Sequence, residues 1–215
     1  MLIRKYNWGF KLISSISCSC GVSNIMLSEN RPMMSLYCAC KDCTQAIKWG
    51  ELNGGKAPQK LPQAVYIRSD ITSVVGKEHL KAYQLRDPAK STRVYCTKCY
   101  SIMGINHPSY LNNVFMFFPE HCTAKLDLSI KPCAVINMSS YQHGDKPDIS
   151  IDIPVFHNFD YEQERNRFLD IPDVKKAFHL PEKSQVGQTF KDVIDSLDEI
   201  SILHFQIGSE PTNLV

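Results

Sequence analysis

Seven cysteines fall in three tight groups, Cys18-Ser-Cys20, Cys38-Ala-Cys40-Lys-Asp-Cys43 and Cys96-Thr-Lys-Cys99, and they constrain this chain more than anything else in it. Short cysteine knuckles contributed by distant segments are how zinc ribbons are built. Four thiolates close a tetrahedral site, whereas three leave a position for water or substrate. Four plus three uses the whole set of seven. The spacing therefore predicts two zinc ions and a metal-dependent, thiol-handling protein.

Two other uses of the cysteines compete with this. The chain holds nine cysteines in all, so disulfides alone would strand one thiol. Residues two positions apart are also poorly placed to bridge each other, because a disulfide needs particular Cα separations and directions. Cysteine can instead serve as a small buried hydrophobe, and that is the reading for Cys122 and Cys133, which have no partner at ligand spacing. The first knuckle is followed by Gly21, which lets the chain turn without a Cβ clash. The last follows Arg93-Val94-Tyr95, a short β-type run. Two such strand ends can close one four-thiolate structural site on Cys18, Cys20, Cys96 and Cys99. An apparent ~10–16 kcal/mol for a structural zinc rivals the ~5–15 kcal/mol of a whole domain, which makes the metal a condition of folding. Cys38, Cys40 and Cys43 remain as a second site with an open fourth position.

Composition permits this and excludes some alternatives. At 215 residues, with 43% apolar content, one domain plus an appendage is expected. A formal net charge of +2 provides no concentrated basic surface, so nucleic acid is not an expected partner. No run approaches the ~20 apolar residues of a membrane span. Met1 to Ser17 carries Arg4, Lys5 and Lys11 among apolar residues, but Lys11 interrupts any apolar stretch, and a first strand is favoured over a cleaved signal. Cysteine pairs of this kind suit a reducing compartment, so a cytoplasmic location is expected, with the nucleus as the alternative.

The order CxCG, then CxCxxC, then Gly76 and Tyr83, then CxxC resembles the family of the glutathione-dependent formaldehyde-activating enzyme and centromere protein V, over about residues 10–138. The resemblance implies a mainly β fold of the β-tent type. It implies a structural zinc on Cys18, Cys20, Cys96 and Cys99 and a catalytic zinc on Cys38, Cys40 and Cys43. It also implies carbon–sulfur lyase chemistry on S-hydroxymethylglutathione, with glutathione or another small thiol and a small aldehyde as partners. The same resemblance offers a second expectation, a non-catalytic zinc-binding interaction module of the centromere protein V type. The chain departs from the family pattern at Ala39, where a His is frequent, at Thr44-Gln45-Ala46-Ile47-Lys48, and at Tyr100, which replaces a Gly where the backbone would be left-handed. None of these removes a ligand.

The remaining pattern agrees with a zinc-stapled β domain carrying a helical C-terminal extension. Residues 10–16, 22–27, 64–67, 80–85, 91–95, 114–118 and 134–137 are short, rich in β-branched or aromatic residues, and bounded by turn formers. Residues 51–58 read as a loop. Residues 139–155 read as a linker, and 156–215 as an extension available to a protein partner, with helices expected over 172–179 and 189–200. Asp192, Asp195, Asp198 and Glu199 are expected on a solvated face. His107, His121, His143, His157, His179 and His204 show no ligand spacing and are expected as surface or core residues; the sequence does not place His121, beside Cys122, relative to the open site. The chemistry expected there is attack of a metal-activated thiolate on an aldehyde carbon, with Tyr, His or water as the unassigned general acid.

Overall fold

The computed structural model describes residues 14–141, 143, 147, 149, 152–179 and 186–204. In chain order the elements are β1 (Ser14–Cys18), β2 (Asn24–Leu27), β3 (Met34–Cys38), α1 (Lys41–Leu52), β4 (Gln63–Arg68), β5 (Ile71–Val75), β6 (Leu80–Gln84), β7 (Thr92–Cys96), β8 (Ile102–Asn106), β9 (Val114–Phe117), β10 (Cys122–Lys125) and β11 (Val135–Ile136), followed by α2 (Glu162–Leu169), α3 (Pro172–Phe178), α4 (Phe190–Asp195) and β12 (Ser201–Ile202). The fold is mainly β. One sheet has four strands in the order β10-β1-β2-β5, and the other has eight in the order β11-β3-β4-β9-β8-β7-β6-β12. Pairing is antiparallel except at the two outer strands of the larger sheet, where β11 runs parallel to β3 and β12 parallel to β6.

The larger sheet is covered on both faces, and its sequence says why. Strand β9, Val-Phe-Met-Phe, is buried throughout; alternate residues of a strand point to opposite faces, so a continuous apolar run needs cover on each side. Phe115 and Phe117 join Val65, Ile67, Val94 and Met103 in a core closed by Ile16 and Ile25 of the smaller sheet. Val114 and Met116 join Ala64, Tyr66 and Ile105 in a second core, closed by Ala46, Ile47 and Trp49 of α1 and by Phe168, Val174 and Phe178 of α2 and α3.

The strands expected over 22–27, 64–67, 80–85, 91–95, 114–118 and 134–137 coincide with β2, β4, β6, β7, β9 and β11 within a few residues. Of the first expected strand, residues 10–13 lie outside the described residues, and β1 occupies Ser14–Cys18. The loop expectation needs correction at its start. Glu51 and Leu52 are the last residues of α1, a helix the sequence reading did not anticipate, and the loop begins after Asn53 caps it. The helix expected over 172–179 is α3. That over 189–200 is shorter: Thr189 caps α4 through a capping box with Asp192, and the helix stops at Asp195.

The C-terminal segment packs into the same cores. Val155 bridges Val135, the Phe156 N–H donates to the Val135 carbonyl at 2.8 Å, and the Phe156 ring is buried. On the opposite face Phe190 stacks on Phe115 with ring centroids 4.4 Å apart. Gly104 of β8 lies beneath it, where an added Cβ would sit 2.4 Å from the Phe190 ring. Gly104→Ala is therefore expected to destabilise the protein by about 1–3 kcal/mol in denaturant titrations. The loss should be less than additive with that of Phe190→Leu, because the two share one clash.

Candidate metal centres

Two hairpin turns from different sheets meet at the first cysteine group. Cys18 ends β1 in the smaller sheet, and the turn carrying Cys20 closes through the Gly21 N–H to the Cys18 carbonyl at 3.0 Å, with Gly21 at φ +78°. Cys96 ends β7 in the larger sheet, and its turn closes through the Tyr100 N–H to the Cys96 carbonyl at 2.8 Å. Tyr100 is left-handed, at φ +52°. That conformation costs a side-chain-bearing residue roughly 1–2 kcal/mol, offset here by its ring stacking on Tyr95 at 5.8 Å and meeting Trp49 edge-on at 5.7 Å. The turns are tied to each other by Ser19, whose N–H donates to Ser101 Oγ at 3.0 Å and whose hydroxyl donates to the His121 carbonyl at 3.0 Å. The Cys18 and Cys20 sulfurs lie 3.5 Å apart, and those of Cys20 and Cys96 lie 3.9 Å apart. All four sulfurs fall within 4.8 Å of one another.

The second group is local. Cys38 ends β3, Cys40 is the N-cap of α1, and Cys43 lies in its first turn. The Cys43 N–H donates to Cys40 Sγ at 3.3 Å, a thiol doing the work usually done by a Ser or Asp oxygen. Cys38 and Cys43 sulfurs are 3.7 Å apart, and the three converge within 4.8 Å. Both groups could therefore hold metal ions. Tetrahedral zinc with sulfur at ~2.3 Å needs sulfurs about 3.8 Å apart, close to the 3.5, 3.7 and 3.9 Å of three of the pairs, while a disulfide needs about 2.05 Å. The nine cysteines are free thiols. Cys122 joins neither group; it is buried, pairs in register with Cys18 across β1 and β10, and donates to the Ile102 carbonyl at 3.2 Å. Cys133 packs at the edge of the second core.

Sulfurs this close cannot all ionise unaided. In the trio, hydrogen bonds with the Cys38 and Cys43 side chains hold the Cys40 thiol well below its ordinary range, while interaction with their neighbouring sulfurs pushes Cys38 and Cys43 well up. In the group of four, burial lifts Cys96 to about 12. Burial also opposes ionisation of Cys99, but donors from Ser101 and Cys20 outweigh it and bring that thiol down to about 6. A coordinated divalent cation removes the conflict, since a coordinating thiol is deprotonated outright. All-sulfur donor sets suit zinc and other thiophilic metals.

A cavity of about 730 Å³ is lined by all three cysteines of the trio and by none of the four. Tyr66 and Tyr110 also line it, the Tyr110 hydroxyl donating to that of Tyr66 at 3.4 Å, and burial raises both phenols, so they keep their protons. Arg93, His107 and His179 complete part of the wall. These residues carry no spacing signal, because strands β4 and β7, the turn after β8 and the end of α3 bring them together only in three dimensions. His121, which the sequence could not place, does not line this cavity. It is buried beside the group of four, with its ring against Phe118 at 6.0 Å. Ala39, Thr44 and Lys48, where the chain departs from the family pattern, line a neighbouring smaller hollow of about 340 Å³.

No family model and no curated protein matches the chain. Among the described residues no helix is long and apolar enough to cross a membrane.

The two groups should respond differently to loss of one sulfur. Cys96→Ser is expected to abolish cooperative unfolding at 25 °C, because it opens the contact between the sheets. Cys40→Ser should retain the fold and lose about one metal equivalent per chain by elemental analysis. Equal unfolding in both variants would contradict this division. A further check concerns acid. Burial depresses His121 from 6.5 to about 4, so its neutral form contributes stability above about pH 6.5 that is lost as pH falls through about 4. His121→Phe should gain stability relative to the parent across that interval in denaturant titrations.

Proposed function

We propose that this chain is a two-zinc protein of the β-tent type whose second zinc handles a thiol–aldehyde adduct. Cys18, Cys20, Cys96 and Cys99 would hold a structural ion that staples one sheet to the other. Cys38, Cys40 and Cys43 would hold the second. Bound there, zinc supplies Lewis acidity that converts a thiol occupying the fourth position into a thiolate at neutral pH. The observation that carries this reading is the pairing of an incomplete, three-sulfur donor set with the large cavity above it. The cysteine pattern of the formaldehyde-activating family supports the same chemistry. It points to carbon–sulfur lyase activity on an adduct such as S-hydroxymethylglutathione, with glutathione or a similar thiol and a small aldehyde as partners.

The chain's own groups have definite tasks in that reaction. Cys38 and Cys43 are buried, which keeps bulk water from competing for the metal-facing side. The Cys40 sulfur is favoured as an anion by hydrogen bonds with the Cys38 and Cys43 side chains and by the Cys43 N–H at the start of α1. When sulfur adds to the carbonyl carbon, the carbonyl oxygen gains a proton, and in the reverse direction it gives the proton up. Tyr66 and Tyr110, whose hydroxyls lie 3.4 Å apart in the cavity wall and keep their protons, are the groups that would exchange a proton with that oxygen.

Protein carrying two zinc ions should interconvert ¹³C-formaldehyde, a thiol and their hydroxymethyl adduct faster than the uncatalysed exchange measured by NMR. Tyr66→Phe should slow it by about 10²-fold with zinc content unchanged. No acceleration with both metals in place, across several thiols, would overturn the lyase reading and favour the interaction module.

A further inference from the structure

We propose that Arg93 is the carboxylate-binding group of the cavity over Cys38, Cys40 and Cys43, so that the ligand taken there is an anionic, carboxylate-bearing thiol. This rests on the reading of the trio as an open metal site and names the residue that would hold the carboxylate of the thiol taken there.

Arg93 is 1% exposed, in the middle of the larger sheet, paired in register with Tyr83 on one side and Ile105 on the other. An unpaired buried charge is costly. Its partners here are weak and neutral. Nη1 donates to the Ser91 carbonyl at 3.3 Å and Nη2 to the Asp42 carbonyl at 3.4 Å, while Nε has no partner. The acid nearest in the chain to these contacts, Asp42, turns its carboxylate away to Arg86, with contacts of 2.8 and 3.1 Å. The Asp42 carbonyl lies between Cys40 and Cys43 in the chain, so the contact places the guanidinium over the first turn of the helix that carries the trio. Arg93 lines the same cavity as the three sulfurs. Nε–H is the one donor of this guanidinium without a partner, and the charge-assisted hydrogen bond it can make suits a carboxylate oxygen. Lys41, Lys90 and Arg165 add positive charge to the lining, against Asp160 and the already paired Asp42.

The test uses the full chain loaded with zinc and two thiols of equal length, 3-mercaptopropionate and its neutral amide, 3-mercaptopropionamide, titrated by calorimetry. The acid is expected to bind at least about tenfold more tightly than the amide, the size of a charge-assisted hydrogen bond. Arg93→Gln should bring the acid down to the amide, and Arg93→Lys should restore part of the preference, with two zinc ions retained in each. Equal affinities in the parent protein, or a preference that survives Arg93→Gln, would overturn the assignment. The arms separate the two readings. Binding of the amide with no gain for the acid removes Arg93 and keeps the open metal. Binding of the acid alone, at the same strength after the trio's metal is lost through Cys40→Ser, keeps Arg93 and removes the open metal. Binding of neither removes both. Should Arg93→Gln fail to fold, the parent comparison and Arg93→Lys still decide.

Discussion

Like charges at sulfur–sulfur contact distance repel strongly, and the whole molecule is arranged around seven thiols held at that distance. Four of them join the two sheets: Cys18 and Cys20 come from the turn after β1, Cys96 and Cys99 from the turn after β7. Protonated, the four offer weak hydrogen bonds and a polar flaw at the sheet junction. Bound to one divalent cation they become a crosslink worth as much as the rest of the folding free energy. The surrounding groups are compatible with the second state. Ser23 donates its N–H to Cys18 at 3.3 Å, Ser101 lies 3.3 Å from the Cys99 sulfur, and Ser19 ties one turn to the other.

The second group depends on the first only through the sheet that the two share. Its sulfurs lie within one strand end and one helix start, so their convergence needs no distant partner. The space above them does. Tyr66 comes from β4, Arg93 from β7 and His107 from just after β8, while Phe159, Phe168 and Phe178 of the C-terminal segment form the far wall. A segment whose polar, proline-containing start reads as a linker thus helps enclose the candidate site. Burying Phe156, Phe168 and Phe178 offsets the entropy of ordering it.

Parts of this were legible in the chain and parts were not. The ligand grouping was, because knuckle spacing encodes which sulfurs can approach one another. The left-handed turn at Tyr100, φ +52°, was expected only through the family resemblance, whose pattern carries Gly there. Strands β2, β4 and β9 announced themselves through β-branched and aromatic runs. Helix α1 did not: Cys40 is a poor-looking N-cap, and Gly50 followed by Gly54 and Gly55 disguises its end. Strand β3, Met-Ser-Leu-Tyr-Cys, and strand β8, with Gly104 at its centre, lack the composition that signals a strand, yet both pair with neighbours that demand them.

What the sequence determined by itself is local: donor type and number, the short reach between cysteines of a knuckle, and the two-sided apolar strands that require a layered β fold. Those follow from covalent spacing and from the two-residue period of a strand. What tertiary structure alone decided is the company each group keeps, with Tyr66 beside the trio, His121 beside the other group, and a fully buried Arg93 facing the cavity without a counter-ion. Burial and field at a point depend on residues far apart in the chain, and spacing along one strand carries no record of them.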